Sequence, residues 1–126
     1  MNEKALLAEH YKASGYNCAV SVLLAYQQEL GMDKEAINKL GMPFGVGMGA
    51  QKATCGALIA AGMVLGMLNK SGATIAKSRQ LILGFEQNSG AICCEDLKGV
   101  KTGVVLCPCN QCVTNAVTLL EELLAE

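Results

Sequence analysis

The stretch that most limits what this chain can become is residues 41–68. There a glycine-rich segment, Gly41-Met42-Pro43-Phe44-Gly45-Val46-Gly47-Met48-Gly49, leads within a few residues into the apolar run Leu58-Ile59-Ala60-Ala61-Gly62-Met63-Val64-Leu65-Gly66-Met67-Leu68. Glycine loses more backbone freedom on folding than any other residue, so a cluster of glycines is retained where something must approach the backbone closely. That neighbour is either a cofactor, with Gly45, Gly47 and Gly49 as contact points, or a packed helix. A phosphate loop fits less well, because the pattern lacks the Walker lysine and the preceding strand of the dinucleotide fold. Thr54 is placed to cap the helix that follows, which puts Cys55 in its first turn. Unpaired N–H groups and the helix dipole there favour an anionic sulfur.

The rest of the chain punctuates into helices on the same reasoning. Leu6, Leu7, His10 and Tyr11 recur at helical spacing over residues 3–13, with Asn2 as cap and Ser14-Gly15 as terminator. Asn17 caps a helix that begins beside Cys18 and runs over residues 19–30, with Val22, Leu23, Tyr26 and Leu30 on one face and Gly31 as the stop. Asp33 opens a short helix over residues 34–40. Residues 75–87 carry Ile75, Leu81, Ile82 and Phe85, and end near Ser89-Gly90. Residues 91–99 make a helical turn at most, and Val104-Val105-Leu106 has strand character but is too short to support a sheet. Pro108 suits the first position of a last helix that buries Val113, Val117, Leu120 and Leu124. The expectation is an all-α fold: a single compact bundle of about five helices over residues 1–126, with the glycine-rich loop before the central helix.

Several function classes fall away. A net charge of −1 with scattered lysines gives no electrostatic reason to bind nucleic acid. The apolar residues 53–68 fall short of the ~20 needed to cross a bilayer, so no membrane span is expected. The first ten residues lack the apolar core and cleavage site of an export signal, which points to the cytoplasm. Gly62 and Gly66, like Gly56 and Ala60, stand four apart and make smooth patches for helix contact within the chain or across a homodimer. Met63 and Met67 read as core, and the pairs Glu95-Asp96 and Glu121-Glu122 as solvent-facing charge.

Seven cysteines remain to be explained. In a reducing compartment an odd number of them is not a disulfide framework, and seven are too many to be filler in the core. Cys18, Cys55, Cys94 and the Cys109/Cys112 pair each fall at or near the start of a helix. Four such ends meeting would create a pocket of thiolates and N–H donors, the surroundings an iron–sulfur cluster of two or four irons requires. Zinc is the competing metal, but structural zinc sites draw on two close CxxC knuckles and only Cys109/Cys112 has that spacing. A metal-free dithiol enzyme using Cys109 and Cys112 is the alternative from a different class, although the strand–helix alternation of the thioredoxin fold is missing. Cys93-Cys94 is a further candidate switch. His10 is the only histidine and reads as a helix-face residue, and Val113 after the CxxC excludes the usual haem attachment.

Gly15-Tyr16-Asn17-Cys18-Ala19, Phe44-Gly45-Val46-Gly47-Met48-Gly49, Thr54-Cys55-Gly56-Ala57, residues 90–99 around Cys93-Cys94, and a last cysteine before Val113, Ala116 and Leu120 together resemble the C_GCAxxG_C_C family of redox-active proteins. The resemblance implies four signature cysteines: Cys18, Cys55, Cys94 and, by spacing to Val113 and Ala116, Cys109, with Cys112 the runner-up for the fourth place. It also relates the chain to the cluster domain of split-Soret cytochromes, without their haem part, and implies a redox partner protein. Ala60 stands where the family's CGAxxG has glycine, adding a methyl group that tightens a helix contact. Cys93, Cys107 and Cys112 are extra to the signature.

Overall fold

The computed structural model describes residues 2–126. Among these, regular structure is helical throughout. Eight α-helices are present: α1 (Glu3–Ala13), α2 (Cys18–Ala25), α3 (Gln27–Leu30), α4 (Lys34–Gly41), α5 (Gly56–Leu68), α6 (Thr74–Ser89), α7 (Cys94–Leu97) and α8 (Cys109–Ala125). The expected class holds, with more helices than the five anticipated because α3 and α7 are single turns and the helix expected over residues 19–30 is broken. The break is at Tyr26, whose backbone leaves the helical region (φ −111°, ψ 21°). Its ring is buried, and its hydroxyl donates to Glu121 Oε2 at 2.7 Å, so Glu121 is a hydrogen-bonded partner and not a purely solvent-facing charge.

The caps form at the residues whose side chains can make them. Asn2, Asn17 and Asp33 accept from the N–H groups of Ala5, Val20 and Ala36 at 2.7, 2.8 and 2.7 Å. Gly31 and Gly90 end α3 and α6 in the left-handed conformation. Two expected starts shift by a residue: Cys55 itself caps α5, and Pro108 precedes α8 as its cap. Thr54 instead pairs with Cys93 in an isolated antiparallel bridge.

The α2 helix is buried along its whole length, and α1, α5 and α8 pack around it, with α6 outside α5 and α8. Burial of α2, α5 and α8 side chains supplies most of the core. On α1 the buried residues are Ala5 and Ala8, while Leu6 and Leu7 are exposed. Methyl-sized residues let α1 lie close to α2 and α8, and this contact overrides the leucine periodicity. Likewise Ile75 is exposed while Leu81 and Phe85 are buried, and Met67, expected in the core, is 68% exposed. Gly56 and Ala60 are buried, but space opposite Gly62 and Gly66 is open, so no helix of this chain uses that part of the stripe. Residues 104–106 form no strand and are exposed. No helix among the described residues is long and apolar enough to cross a membrane.

The segment before α5 is the most contorted. After a tight turn at Met42–Phe44, a wide turn spans Gly47–Gln51. Val46, Met48 and Gln51 join Gly47 and Gly49 at positive φ, 54°, 60° and 59° for the three side-chain-bearing residues. A β-branched residue in that region is strained, and such strain persists only where surrounding contacts hold it.

Candidate functional site

The contorted loop closes over the starts of four helices. Cys18, Cys94 and Cys109 are the first residues of α2, α7 and α8, and Cys55 is the cap of α5. Asn17 fixes the first of these through its cap. Cys55 and Cys94 are locked to each other by backbone: Cys55 N–H donates to Ile92 O at 2.8 Å and Cys94 N–H to Ala53 O at 2.9 Å, either side of the Thr54–Cys93 bridge. Cys109 is set by Pro108, which ends the extended approach to α8.

All four side chains line one cavity of about 110 Å³, whose walls also include Lys12, Asn17, Gln51 and Lys98. Cys18 Sγ lies 4.0 Å from the Cys109 carbonyl oxygen across 91 residues of sequence. Cys112 is fully buried behind the cavity wall, with its Sγ 3.4 Å from Lys98 Nζ and its thiol donating to Cys107 O at 3.6 Å. Cys107 is buried too, and Cys93 turns the other way, toward Lys52 O at 3.6 Å.

Of Gly45, Gly47 and Gly49, expected as cofactor contacts, Gly47 lines the cavity, and Gly45 and Gly47 lie close against side chains of the protein itself. A Cβ at Gly47 would meet Cys94 Cβ at 2.6 Å, and one at Gly45 would meet the Asn17 side chain at 2.3 Å. The loop therefore rests directly on the residues that carry or position two of the cysteines. Gly49 faces open space.

Electrostatically the site holds anionic sulfur. Hydrogen bonding from the Cys18 side chain, opposed by burial and reinforced by the Lys98 charge, holds Cys109 down to about 5. Cys55 falls to about 7, chiefly through Cys112, against its own burial and with help from the N–H groups of Ala57 and Leu58 at the start of α5. Their partners move the other way: Cys18 is raised by its bond to Cys109 and by burial, and Cys112 by its bond to Cys55 and by burial. Burial also raises Cys94. For Lys98, burial works against the charge, but the nearby Cys112 and Cys109 outweigh it and its pKa rises. Glu95, one residue beyond Cys94, is occupied with Lys52 and Lys101 at 3.7 and 3.2 Å.

Lys98, Lys12 and Gln51 were not singled out in the sequence. Lys98 was findable, because it follows Cys94 by four residues, which places both on one side of a helical turn. Lys12 and Gln51 reach the cavity through tertiary packing and a positive-φ turn that no local pattern announces.

A family model described as "Putative redox-active protein (C_GCAxxG_C_C)" matches residues 16–123, a span that contains all seven cysteines and the loop. The chain belongs to the C_GCAxxG_C_C family. No curated protein and no solved structure matches it. All of α1 lies ahead of the matched span, yet Lys12 from that helix reaches the cavity of this C_GCAxxG_C_C protein. Among the described residues, no group of three or more Cys, His, Asp or Glu side chains is set around a single point as one metal ion would need.

Proposed function

We propose that this protein binds an iron–sulfur cluster through Cys18, Cys55, Cys94 and Cys109 and serves in electron transfer or redox sensing. The observation that carries this reading is that four thiols from four separate helix starts line the same cavity. Four thiolates are the usual ligand set for such a cluster. A structural zinc site usually draws on two close CxxC knuckles, and only Cys109/Cys112 has that spacing, so four separate helix starts suit a cluster better than a zinc ion.

The residues present fit an anionic cluster. Lys98 and Lys12 bring positive charge to the wall, the helix starts bring N–H groups, and Gly47 lets the loop lie against Cys94 without a side chain between them. A bound cluster supplies a one-electron couple. Around it the loop covers the ligand sulfurs, and Lys98 and the N–H groups at the start of α5 favour the ionised form of Cys109 and Cys55. Burial of Cys18, Cys55 and Cys94 leaves half-buried Cys109 nearest the surface, where an electron-exchanging partner protein would dock.

The metal-free alternative, a thiol–disulfide oxidoreductase using Cys109 and Cys112, is less well supported, because Cys109 lines the cavity while Cys112 is buried against Lys98 and Cys107. Anaerobic purification and reconstitution with iron and sulfide, followed by visible absorption and iron and sulfide assay, tests the proposal. A brown protein that bleaches on reduction and holds iron and acid-labile sulfide supports it. A colourless protein whose thiols all remain titratable after reconstitution refutes it.

A further inference from the structure

Outside the cluster reading, the cavity brings two free cysteines from distant parts of the chain together. Cys18 and Cys109 come from opposite ends of the chain, line the same cavity, and approach to 4.0 Å between Cys18 Sγ and the Cys109 carbonyl oxygen. They differ in access: Cys109 is half-buried and Cys18 is 8% exposed. The remaining sulfurs are less suited. The other bonded pair, Cys55 with Cys112, is closed to an incoming molecule on one side, since Cys112 is fully buried and does not line the cavity, while Cys93 and Cys94 turn to opposite sides, one toward Lys52 O and one against Gly47.

We propose that in the metal-free protein Cys109 and Cys18 are a reactive dithiol that closes to a disulfide, with Cys109 attacking a small-molecule disulfide and Cys18 resolving the adduct. In the first step the Cys109 thiolate attacks one sulfur of the incoming disulfide RSSR. The S–S bond breaks, a mixed disulfide Cys109–S–SR forms, and RS⁻ leaves and takes a proton from water. In the second step Cys18 gives its proton to water and attacks Cys109 Sγ, so that the Cys18–Cys109 bond forms and the second RS⁻ leaves. The two protein sulfurs together lose two electrons and RSSR gains them. Lys12 and Lys98 on the cavity wall favour the attacking thiolate and the departing one. Where the proposed function also holds, the disulfide withdraws two of the four ligands, so the oxidised chain cannot load iron until it is reduced.

The experiment uses the full chain, stripped of metal and fully reduced, exposed to oxidised glutathione and then alkylated and mapped by mass spectrometry. The expected result is loss of two of the seven free thiols and one cross-linked peptide pair, Cys18 with Cys109. In Cys18→Ser the glutathione adduct should persist on Cys109, and in Cys109→Ser no adduct should accumulate on Cys18. A cross-link between Cys109 and Cys112 or between Cys93 and Cys94, or seven thiols still free, overturns the proposal. The wild-type map decides this even if a variant fails to fold. Iron uptake by the reduced chain is read separately. A Cys18–Cys109 cross-link supports the dithiol whether or not iron binds, whereas a reduced chain that refuses iron and sulfide refutes the cluster alone.

Discussion

Substitution of Gly47 by alanine, measured against the same change at Gly49, isolates the contact between the loop and Cys94. Both glycines are left-handed, at φ +55° and +80°. An alanine there costs about 1–2 kcal/mol in backbone strain, offset by about 0.4–1 kcal/mol because the unfolded chain is also restricted. At Gly49 nothing lies within 4 Å of the added methyl, so the net cost is on the order of 1 kcal/mol. At Gly47 the methyl would sit 2.6 Å from Cys94 Cβ and 3.3 Å from both Cys94 Sγ and Ala53 O. Overpacking of that kind adds about 1–3 kcal/mol, for a total of roughly 2–4 kcal/mol. At roughly 3–5 °C per kcal/mol for a chain of this size, the Gly49→Ala melting point should fall by about 4 °C and the Gly47→Ala one by about 10 °C. Thermal melts of the metal-free protein read the first quantity. Iron content after reconstitution reads the second: Gly49→Ala should load as wild type does, and Gly47→Ala, with Cys94 displaced, should lose most of its iron. Equal melting points and equal iron in the two variants would refute the view that Gly47 is there to seat Cys94.

Two further outcomes are expected. Alkylation of Cys109 in the metal-free chain should stay fast from alkaline pH down through neutrality and fall off only near pH 5, since a lowered thiol pKa keeps the thiolate to lower pH; in Cys18→Ala, which removes the main cause of the lowering, the midpoint read by mass spectrometry should move up. Lys77 is buried and shares its N–H groups among Asn69 Oδ1, Ser71 Oγ and the carbonyls of Leu123 and Glu126 at the end of α8. Lys77→Met should therefore cost about 1–3 kcal/mol in denaturant unfolding by leaving those acceptors unpaired, without changing iron content.

What could be read from the sequence was local. Asn2, Asn17 and Asp33 cap because their side chains reach N–H groups three residues on, whatever the rest of the chain does. The cysteines could be placed at helix starts for the same reason, since Asn17 and Pro108 announce the starts of α2 and α8. What could not be read depended on contacts between distant segments. Ala5 and Ala8 displace Leu6 and Leu7 from the core because of how close α2 and α8 come. Tyr26 breaks a helix whose periodicity continues through it, because its hydroxyl is claimed by Glu121, 95 residues away. The Thr54–Cys93 bridge is a two-residue pairing with no strand pattern to announce it. Lys98 carried a usable signal in its spacing from Cys94. The part played by Gly47 was visible only as a cluster of glycines, with nothing to say that Cys94 was the neighbour and that Gly49 had none.

The most direct test is iron K-edge X-ray absorption on the anaerobically reconstituted protein. A cluster held by Cys18, Cys55, Cys94 and Cys109 predicts a first shell of sulfur alone together with a short iron–iron shell, both lost when Cys94 is replaced by serine. A first shell of oxygen and nitrogen with no iron–iron scattering, unchanged by that substitution, would contradict it.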